Sequence, residues 1–346
     1  MANIIENALN DDEICRDAAC HVSNITGQLN GFHEILIQNI TVREFSDIYA
    51  QTIAYGMCAA KLNEASPNSS KGGETPSLGE GWGEAFTRNI AAQLIPHSNP
   101  FLRKHFQYVD IREISKEFGK MEHDPIIHFF ETFLSEYDPA LRKSRGVWYT
   151  PQPMVNFIVR AVDDILKRDF SLPQGLADNS KVKLPRQVRQ SDGSTKTEDV
   201  AFHRVQILDP ATGTGTFLTE VVQNVYGKFK SQQGMWQAYA SQHLIPRMNG
   251  FEILMASYAM AHLKIDVLLK QTGYQHTGDE RLRIFFTNSL SEAHKVPVAH
   301  FAHWLFDEAS QASHIKQDVP VMVVLGNPPY SGESQNSSKW MKLTNC

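Results

Sequence analysis

The feature that most constrains the fold is an alternation of short apolar segments with helical patterns in the second half of the chain. The apolar segments occupy residues 205–209, 248–253, 283–290 and 319–330. Between them lie three stretches with helical spacing of apolar residues, at 216–230, 254–271 and 300–317. Strands that alternate with helices predict a parallel, doubly wound, Rossmann-like α/β sheet with right-handed crossovers.

In each of these segments, a polar side chain follows the apolar run. These residues are Asp209, Glu252, Asn288 and Asn327. In doubly wound sheets, ligands bind at the carboxyl ends of the strands. The sequence therefore predicts that these four side chains lie around one site.

The first of these ends opens the stretch DPATGTGTF, residues 209–217. Gly213 and Gly215 allow a tight turn, and the helix that follows presents its N-terminal N–H groups to the same place. The stretch differs from the dinucleotide fingerprint GxGxxG, because Leu218 stands where the third glycine belongs. A glycine-rich turn alone is a weak signal, but an Asp-Pro directly at the strand end makes this one more specific.

The last strand runs into GNPPY, residues 326–330. Proline has no N–H and a fixed φ, so Pro328 and Pro329 end the strand and stiffen the chain that leaves it. Taken alone, this pattern is typical of a turn.

Glu252 offers a carboxylate that can accept hydrogen bonds from ribose hydroxyls.

The first part of the chain favours helices. Helical patterns at 43–62, 83–97, 101–118 and 125–136 predict a mostly helical domain over residues 1–140. A further helix is expected after residue 150, with Thr150 as its cap and Pro151 at its first position. Residues 171–200 are polar and rich in charges, which predicts a surface loop.

Composition excludes several classes of protein. The chain has 346 residues and a formal net charge of -5, which argues against a dedicated basic nucleic-acid-binding module. No apolar run approaches the roughly 20 residues that a membrane-spanning helix needs. The N-terminus lacks the apolar core of a signal peptide, and the four cysteines form no CxxC pair, so reduced thiols in a cytoplasmic protein without a metal site are expected.

Taken together and in this order, these stretches resemble the S-adenosylmethionine-dependent amino-methyltransferases that modify the N6 position of adenine in DNA. DPATGTGTF resembles the cofactor loop of that family, and the earlier stretch GVWYTPQPMV resembles its preceding cofactor-side segment. GFEI is similar to the segment with the ribose-binding acid, TNSL to the segment lining the cofactor adenine, and GNPPY to the catalytic motif.

The resemblance implies a role for each matching residue. Asn327 and the Pro328 carbonyl would hold the adenine amino group, Pro329 would stiffen the motif, and Tyr330 would stack on an adenine flipped out of double-stranded DNA. S-adenosylmethionine would be bound by residues of the other segments: Tyr149, Thr150, Pro151, Asp209, Pro210, Ala211, Thr212, Gly213, Gly215, Phe217, Glu252, Asn288 and Ser289.

Within that family, the chain is most similar to the coupler and methyltransferase parts of type ISP restriction–modification enzymes, which are prokaryotic. Residues 1–140 would be the coupler, and residues 141–346 the N-terminal part of the methyltransferase domain. Because only sixteen residues follow Tyr330, the resemblance implies an incomplete sheet and a missing target-recognition part. No ATPase or nuclease motif is found.

Alternatives to this function remain open at the level of sequence. The same clamp for an amino group would serve a methyltransferase that acts on a protein glutamine side chain. A truncated, inactive remnant that keeps only a cofactor pocket or a partner surface is the non-enzymatic alternative. A nicotinamide-dependent oxidoreductase is disfavoured by the absent third glycine and by NPPY.

Overall fold

The computed structural model describes residues 29–33, 36–37, 40–50, 150–189, 195–275, 281–290 and 303–328. Of the helices predicted in the first part of the chain, the first, at 43–62, is described only as far as residue 50, and residues 42–50 are helical. The other three predicted helices lie outside the described residues, as do Tyr149, Pro329 and Tyr330.

The core of the fold is a four-stranded parallel sheet. Its strands are β3 (Ile207–Asp209), β4 (Met248–Glu252), β5 (Arg283–Phe286) and β6 (Val323–Val324), in the order β5-β4-β3-β6. All three neighbouring pairs are parallel. The predicted mixed α/β architecture with a parallel sheet is therefore confirmed, and each strand lies within a predicted apolar segment.

In addition to helical residues at 29–33 and 42–50, five α-helices accompany the sheet in the described part of the chain. They are α1 (Gln152–Asp169), α2 (Thr216–Gly227), α3 (Gln233–Tyr239), α4 (Met255–Gln271) and α5 (His303–Asp318). Short turns of other helix types occupy Gly175–Ala177, Ala240–Leu244 and Ile245–Arg247.

Helices cover both faces of the sheet. On one face, Ile207 and Phe286 join the main core with apolar side chains of α2 and α4, such as Leu218 and Ile265. On the other face, a smaller cluster joins Phe251 and Phe285 of the sheet to Ala312 and Ile315 of α5. Successive residues of a strand point to opposite faces, which explains how neighbours such as Phe285 and Phe286 enter different clusters.

Helix α5 also covers the outer edge of β5. The Glu308 carboxylate accepts a hydrogen bond of 2.9 Å from the Phe286 N–H and one of 3.0 Å from the Tyr258 hydroxyl. An edge strand leaves backbone groups unpaired, so this contact satisfies a donor that β5 would otherwise expose.

The described N-terminal residues pack against the same core. Phe32, Leu36 and Phe45 are buried there, and the Phe32 ring lies 5.7 Å from the Phe286 ring. Segment 29–50 is therefore packed directly on the sheet domain.

The prediction of a surface loop at 171–200 is wrong in its secondary structure. Strands β1 (Lys181–Arg189) and β2 (Thr195–His203) pair in an antiparallel hairpin. Leu172 and Leu176, which precede the hairpin, are buried. Val182 and Leu184 of β1 are half-buried and alternate with exposed Lys181, Lys183 and Pro185. This alternation is short and is interrupted by Pro185, and most of β2 is exposed and polar, so the strand pattern is weak.

A fully buried arginine joins the segments at the amino end of β4. The Arg247 guanidinium donates to the carbonyl oxygens of His243 at 2.8 Å, Val205 at 3.1 Å and Leu176. It also donates to the Tyr239 hydroxyl at 2.8 Å. Three backbone segments and α3 are thus tied together by one side chain.

Two further observations concern the described residues only. None of their helices is long and apolar enough to cross a membrane. Their His, Cys, Asp and Glu side chains form no group of three that could hold a metal ion.

Candidate ligand site at the carboxyl ends of the strands

A tight turn connects the end of β3 to the start of α2. Gly213 and Gly215 have φ values of 57° and 83°, in the left-handed region that favours glycine. A Cβ atom on Gly215 would lie 3.3 Å from Ala261 of α4, whereas one on Gly213 would meet no atom within 4 Å. The turn is therefore packed on one side and open above Gly213.

Contacts with β4 hold this turn in place. The Thr212 N–H donates to the Phe251 carbonyl at 2.9 Å, and the Thr212 hydroxyl donates to the Asp209 carbonyl at 3.1 Å. A Cβ atom on Gly250 would lie only 2.5 Å from that hydroxyl oxygen. Thr212 is buried, so its side chain serves the turn itself.

Asp209 ends β3 and is fully buried. Its Oδ1 accepts a hydrogen bond of 3.1 Å from the Ala211 N–H, whereas Oδ2 has no hydrogen-bond partner among the described residues. Burial raises the pKa of Asp209 to about 7; the Ala211 hydrogen bond opposes this increase and the charge of Glu252 adds to it. Asp209 is thus a buried acid with unused hydrogen-bonding capacity.

Glu252 ends β4 and binds the turn. Its Oε2 accepts a hydrogen bond of 2.7 Å from the Gly213 N–H, and its Oε1 accepts from Ile253 at 2.9 Å and Leu254 at 2.7 Å. Burial raises the pKa of Glu252 to about 7, although these three N–H groups favour the charged form. A carboxylate has about four acceptor positions, so about one remains for a ligand.

The segment after β5 lies beside the same turn. The Thr287 N–H donates to the Glu252 carbonyl at 2.9 Å, and the Ser289 hydroxyl donates to the Pro210 carbonyl. Asn288 is buried, and its side-chain amide donates to the Leu36 carbonyl at 3.2 Å. Three of the four predicted strand ends therefore meet in one place.

The fourth strand end joins them through its glycine. A Cβ atom on Gly326 would lie 2.4 Å from Asp209 Oδ1 and 3.6 Å from Pro210 Cδ. Asn327, the next residue, is half-buried, and Pro328 is exposed. The chain that leaves β6 thus begins in contact with the chain that leaves β3.

Helix α1 starts one residue later than expected. Pro151 is its N-cap, because the Pro151 carbonyl accepts the first helical hydrogen bonds, from Met154 at 2.9 Å and Val155 at 3.2 Å. The prediction that Thr150 caps the helix is therefore wrong, and no side-chain cap is present. The Gln152 amide donates to Glu220 of α2 at 3.0 Å, which brings the start of α1 to the first turns of α2.

Phe217, also predicted to bind the cofactor, is buried in the main core. Two contributors were not predicted. Lys316 of α5 donates to the Asn288 carbonyl at 2.7 Å and lies 5.4 Å above the Phe251 ring; burial lowers its pKa to about 8. Leu36 contributes only its backbone carbonyl, which no sequence pattern could have indicated.

Neither a protein-family model nor a curated protein matches this chain. Solved structures do resemble it. A DrdV–DNA complex determined by cryo-electron microscopy has a TM-score of 0.57 at 21% identity and covers 96% of this chain.

Two further similar structures are type ISP restriction–modification enzymes. A nuclease-deletion mutant of LlaGI in complex with a DNA substrate mimic has a TM-score of 0.57 at 17% identity over 97% of this chain. The ATP-dependent enzyme LlaBIII bound to DNA has a TM-score of 0.60 at 19% identity over 99% of this chain.

The matched part is a fraction of each of those proteins. The chain spans 29% of the DrdV chain, 27% of the LlaGI chain and 22% of the LlaBIII chain. At these identities, the similarity establishes that this chain has the fold of the corresponding part of those enzymes.

Proposed function

We propose that this chain is the coupler and methyltransferase part of a restriction–modification enzyme, which transfers a methyl group from S-adenosylmethionine to the N6 amino group of adenine in DNA. The observation that carries the proposal is the contact between Gly326 and Asp209. It brings the beginning of the NPPY motif against the beginning of the glycine-rich turn. The binding sites of the methyl donor and the methyl acceptor must adjoin in this way for direct transfer between two bound molecules.

The chemistry of the residues around the turn fits S-adenosylmethionine. Asp209 Oδ2 lacks a partner among the described residues, Glu252 keeps about one acceptor position, and space is open above Gly213. Glu252 would accept from a ribose hydroxyl, the backbone near Gly213 would line the methionine side, and Asn288 and Ser289 would line the adenine ring. When bound, the cofactor supplies a methyl group on a positively charged sulfur.

The NPPY motif would act on the acceptor. The amino nitrogen of adenine is a poor nucleophile, because its lone pair is delocalised into the ring. The Asn327 side-chain oxygen and the Pro328 carbonyl oxygen would each accept a hydrogen bond from this amino group and so favour a tetrahedral nitrogen. Rigid acceptors supply rate enhancement without reorganisation. Tyr330 would stack on the flipped base, a contact typically worth about 1–3 kcal/mol.

The similar structures favour DNA as the substrate. Each is a complex with DNA or a DNA substrate mimic, and two are restriction–modification enzymes.

Calorimetric titration of the 346-residue chain with S-adenosylmethionine tests the cofactor, with NAD as the competing ligand. We expect S-adenosylmethionine alone to bind, and Asp209→Ala and Glu252→Ala to abolish the binding. Asp199→Ala, which removes an exposed carboxylate of β2, is the matched control. If the folded chain binds neither ligand, the proposal fails and the inactive remnant becomes the better description.

Methyl transfer to a DNA duplex and to a glutamine-containing peptide tests the acceptor. Asn327→Ala should reduce transfer to DNA by about 100-fold or more, while the cofactor affinity stays within about threefold. Transfer to the peptide in preference to DNA would instead identify a protein substrate. Equal loss of cofactor binding and transfer in Asn327→Ala would contradict the proposed clamp.

A further inference from the structure

A cavity lies at the opposite end of the sheet from the candidate site. It has a volume of about 210 Å³ and is lined by Ser241, Ile245, Pro246, Arg281, Arg283, Phe285 and Gln311. Ile245 and Pro246 come just before β4, and Arg283 is the first residue of β5. The cavity therefore opens at the amino ends of these strands, away from Asp209 and Glu252.

Two guanidinium groups lie near one aromatic ring in this cavity. The Cζ atoms of Arg281 and Arg283 lie 5.0 Å and 5.8 Å from the centroid of the Phe285 ring. Both side chains are held by the protein: Arg281 contacts Glu308, and Arg283 Nε donates to Asn249 Oδ1 at 2.8 Å. Their positions are thus fixed before any ligand enters.

Some of their donors have no acceptor within the described residues. Arg281 donates through one Nη group to Glu308 and to the Ile284 carbonyl, whereas Arg283 donates only through its Nε, which leaves both of its Nη groups without an acceptor there. A guanidinium carries five N–H donors and has no acceptor, so a compact group with several acceptor oxygens complements this cavity.

The balance of charge points the same way. The cavity lining contains two arginines and no carboxylate. Glu308, the partner of Arg281, already accepts from the Phe286 N–H and the Tyr258 hydroxyl, so it is shared among three donors. No carboxylate of the described residues pairs with Arg283, and both burial and repulsion from Arg281 lower its pKa.

We infer that this cavity binds a phosphate-type oxyanion through Arg281 and Arg283. Planar guanidinium forks match the oxygens of phosphate, and hydrogen bonds between charged groups are stronger than those between neutral ones. The cavity is a concave space, which suits a free phosphate or the end group of a phosphomonoester better than the continuous backbone of a duplex. The site is separate from the proposed methyl transfer and does not depend on it.

Titration of the full chain with inorganic phosphate, at constant ionic strength and followed by calorimetry, tests the inference. We expect saturable binding to one site. Arg283→Gln keeps a polar side chain but removes the charge and the guanidinium fork, and it should weaken phosphate binding at least tenfold. Arg204→Gln, at an exposed arginine, is the matched control and should change the affinity less than twofold.

Folding of Arg283→Gln is checked by circular dichroism and by its affinity for S-adenosylmethionine, which should be unchanged. If that variant does not fold, Arg283→Lys, which keeps the charge and loses the fork, replaces it with the same expectation of weaker binding. The inference is overturned if the folded wild-type chain shows no saturable phosphate binding, or if the folded variant binds phosphate as the wild type does.

Competition identifies the source of the oxyanion. Adenosine monophosphate should displace inorganic phosphate, whereas a DNA duplex without terminal phosphates should not. Displacement by the duplex alone would overturn the preference for a free phosphate group. If the wild-type chain binds S-adenosylmethionine but not phosphate, this inference fails and the proposed function stands. If it binds phosphate but not S-adenosylmethionine, the proposed function fails and this inference stands.

Discussion

The two ends of the parallel sheet carry buried side chains of opposite charge. The backbone groups around each side chain complement its charge. At the carboxyl ends, Glu252 accepts from N–H groups of the segments that lead into α2 and α4. At the amino ends, Arg247 donates to carbonyls at the ends of helical turns and to that of Val205. Helix N-termini present free N–H groups and helix C-termini present free carbonyls.

This difference follows from the direction of the chain. In a right-handed β-α-β unit, each strand runs into a helix N-terminus at one end of the sheet and receives a helix C-terminus at the other. Carboxylates are therefore stabilised at one end and guanidiniums at the other. The comparison teaches that the direction of the strands sorts buried charge before any ligand is considered.

The largest effect is expected at the amino end, from Arg247→Met. Methionine fills part of the space but leaves buried carbonyls of three segments without a donor, so we expect a loss of roughly 3–5 kcal/mol in the free energy of unfolding. Urea denaturation measures it. Arg204→Met, at an exposed arginine, should cost less than about 0.5 kcal/mol. Similar losses for the two variants would contradict the claim that the buried arginine stabilises the amino end of the sheet.

The carboxyl end should make stability depend on pH. Burial raises the pKa of both Asp209 and Glu252 to about 7, so between about pH 4 and pH 7 the folded state binds more protons than the unfolded state. Stability should therefore fall by several kcal/mol as the pH rises through this window.

Urea denaturation between pH 4.5 and pH 7.5 measures this dependence. Asp209→Asn should flatten it, because the amide cannot ionise, whereas Asp199→Asn on the exposed hairpin should leave it unchanged. An identical slope in all three proteins would show that the buried carboxyls do not control the dependence.

A smaller effect is expected from Glu252→Gln, which keeps the shape of the side chain. The amide nitrogen cannot accept from the N–H groups that now share the carboxylate, so the turn should lose roughly 1–2 kcal/mol of stability. If the proposed function is correct, the affinity for S-adenosylmethionine should also fall about tenfold, or about 1.4 kcal/mol. Calorimetry checks both values against Glu198→Gln, an exposed residue of β2.

The smallest effect is expected from Arg186→Ala, at the contact between the hairpin and α5. Arg186 pairs with Asp318 at 2.5 Å and also contacts His314, but both members of the ion pair are partly exposed. Solvent screens such pairs, so the loss should stay below about 1 kcal/mol in urea denaturation. A larger loss would show that exposure does not separate this arginine from Arg247.

The sequence was sufficient to predict the sheet and the meeting of its polar strand ends. Strands β3, β4 and β5 are largely buried on both faces, and β6 is buried on one face, so their apolar runs identify them. The polar residue after each run marks its carboxyl end. The contacts of Ser289 with Pro210 and of Gly326 with Asp209 then bring predicted neighbours together.

The remaining features lacked a local pattern. The hairpin of β1 and β2 is charged, exposed and interrupted by Pro185, so its strands resemble a loop in sequence. Arg247, Arg281 and Arg283 are charged residues whose hydrogen-bond partners are distant in the chain; these partners are Leu176, Glu308 and Asn249 respectively. Such partners become visible only when the fold is known.

The close approach of Gly326 to Asp209 has a consequence for how related sequences can vary. Only 2.4 Å would separate a Cβ atom at position 326 from Asp209 Oδ1, so a methyl group there has no room while the aspartate is present. We expect homologues with a side chain at position 326 to carry a smaller residue at position 209. The two positions, more than a hundred residues apart in the chain, should therefore covary as a pair.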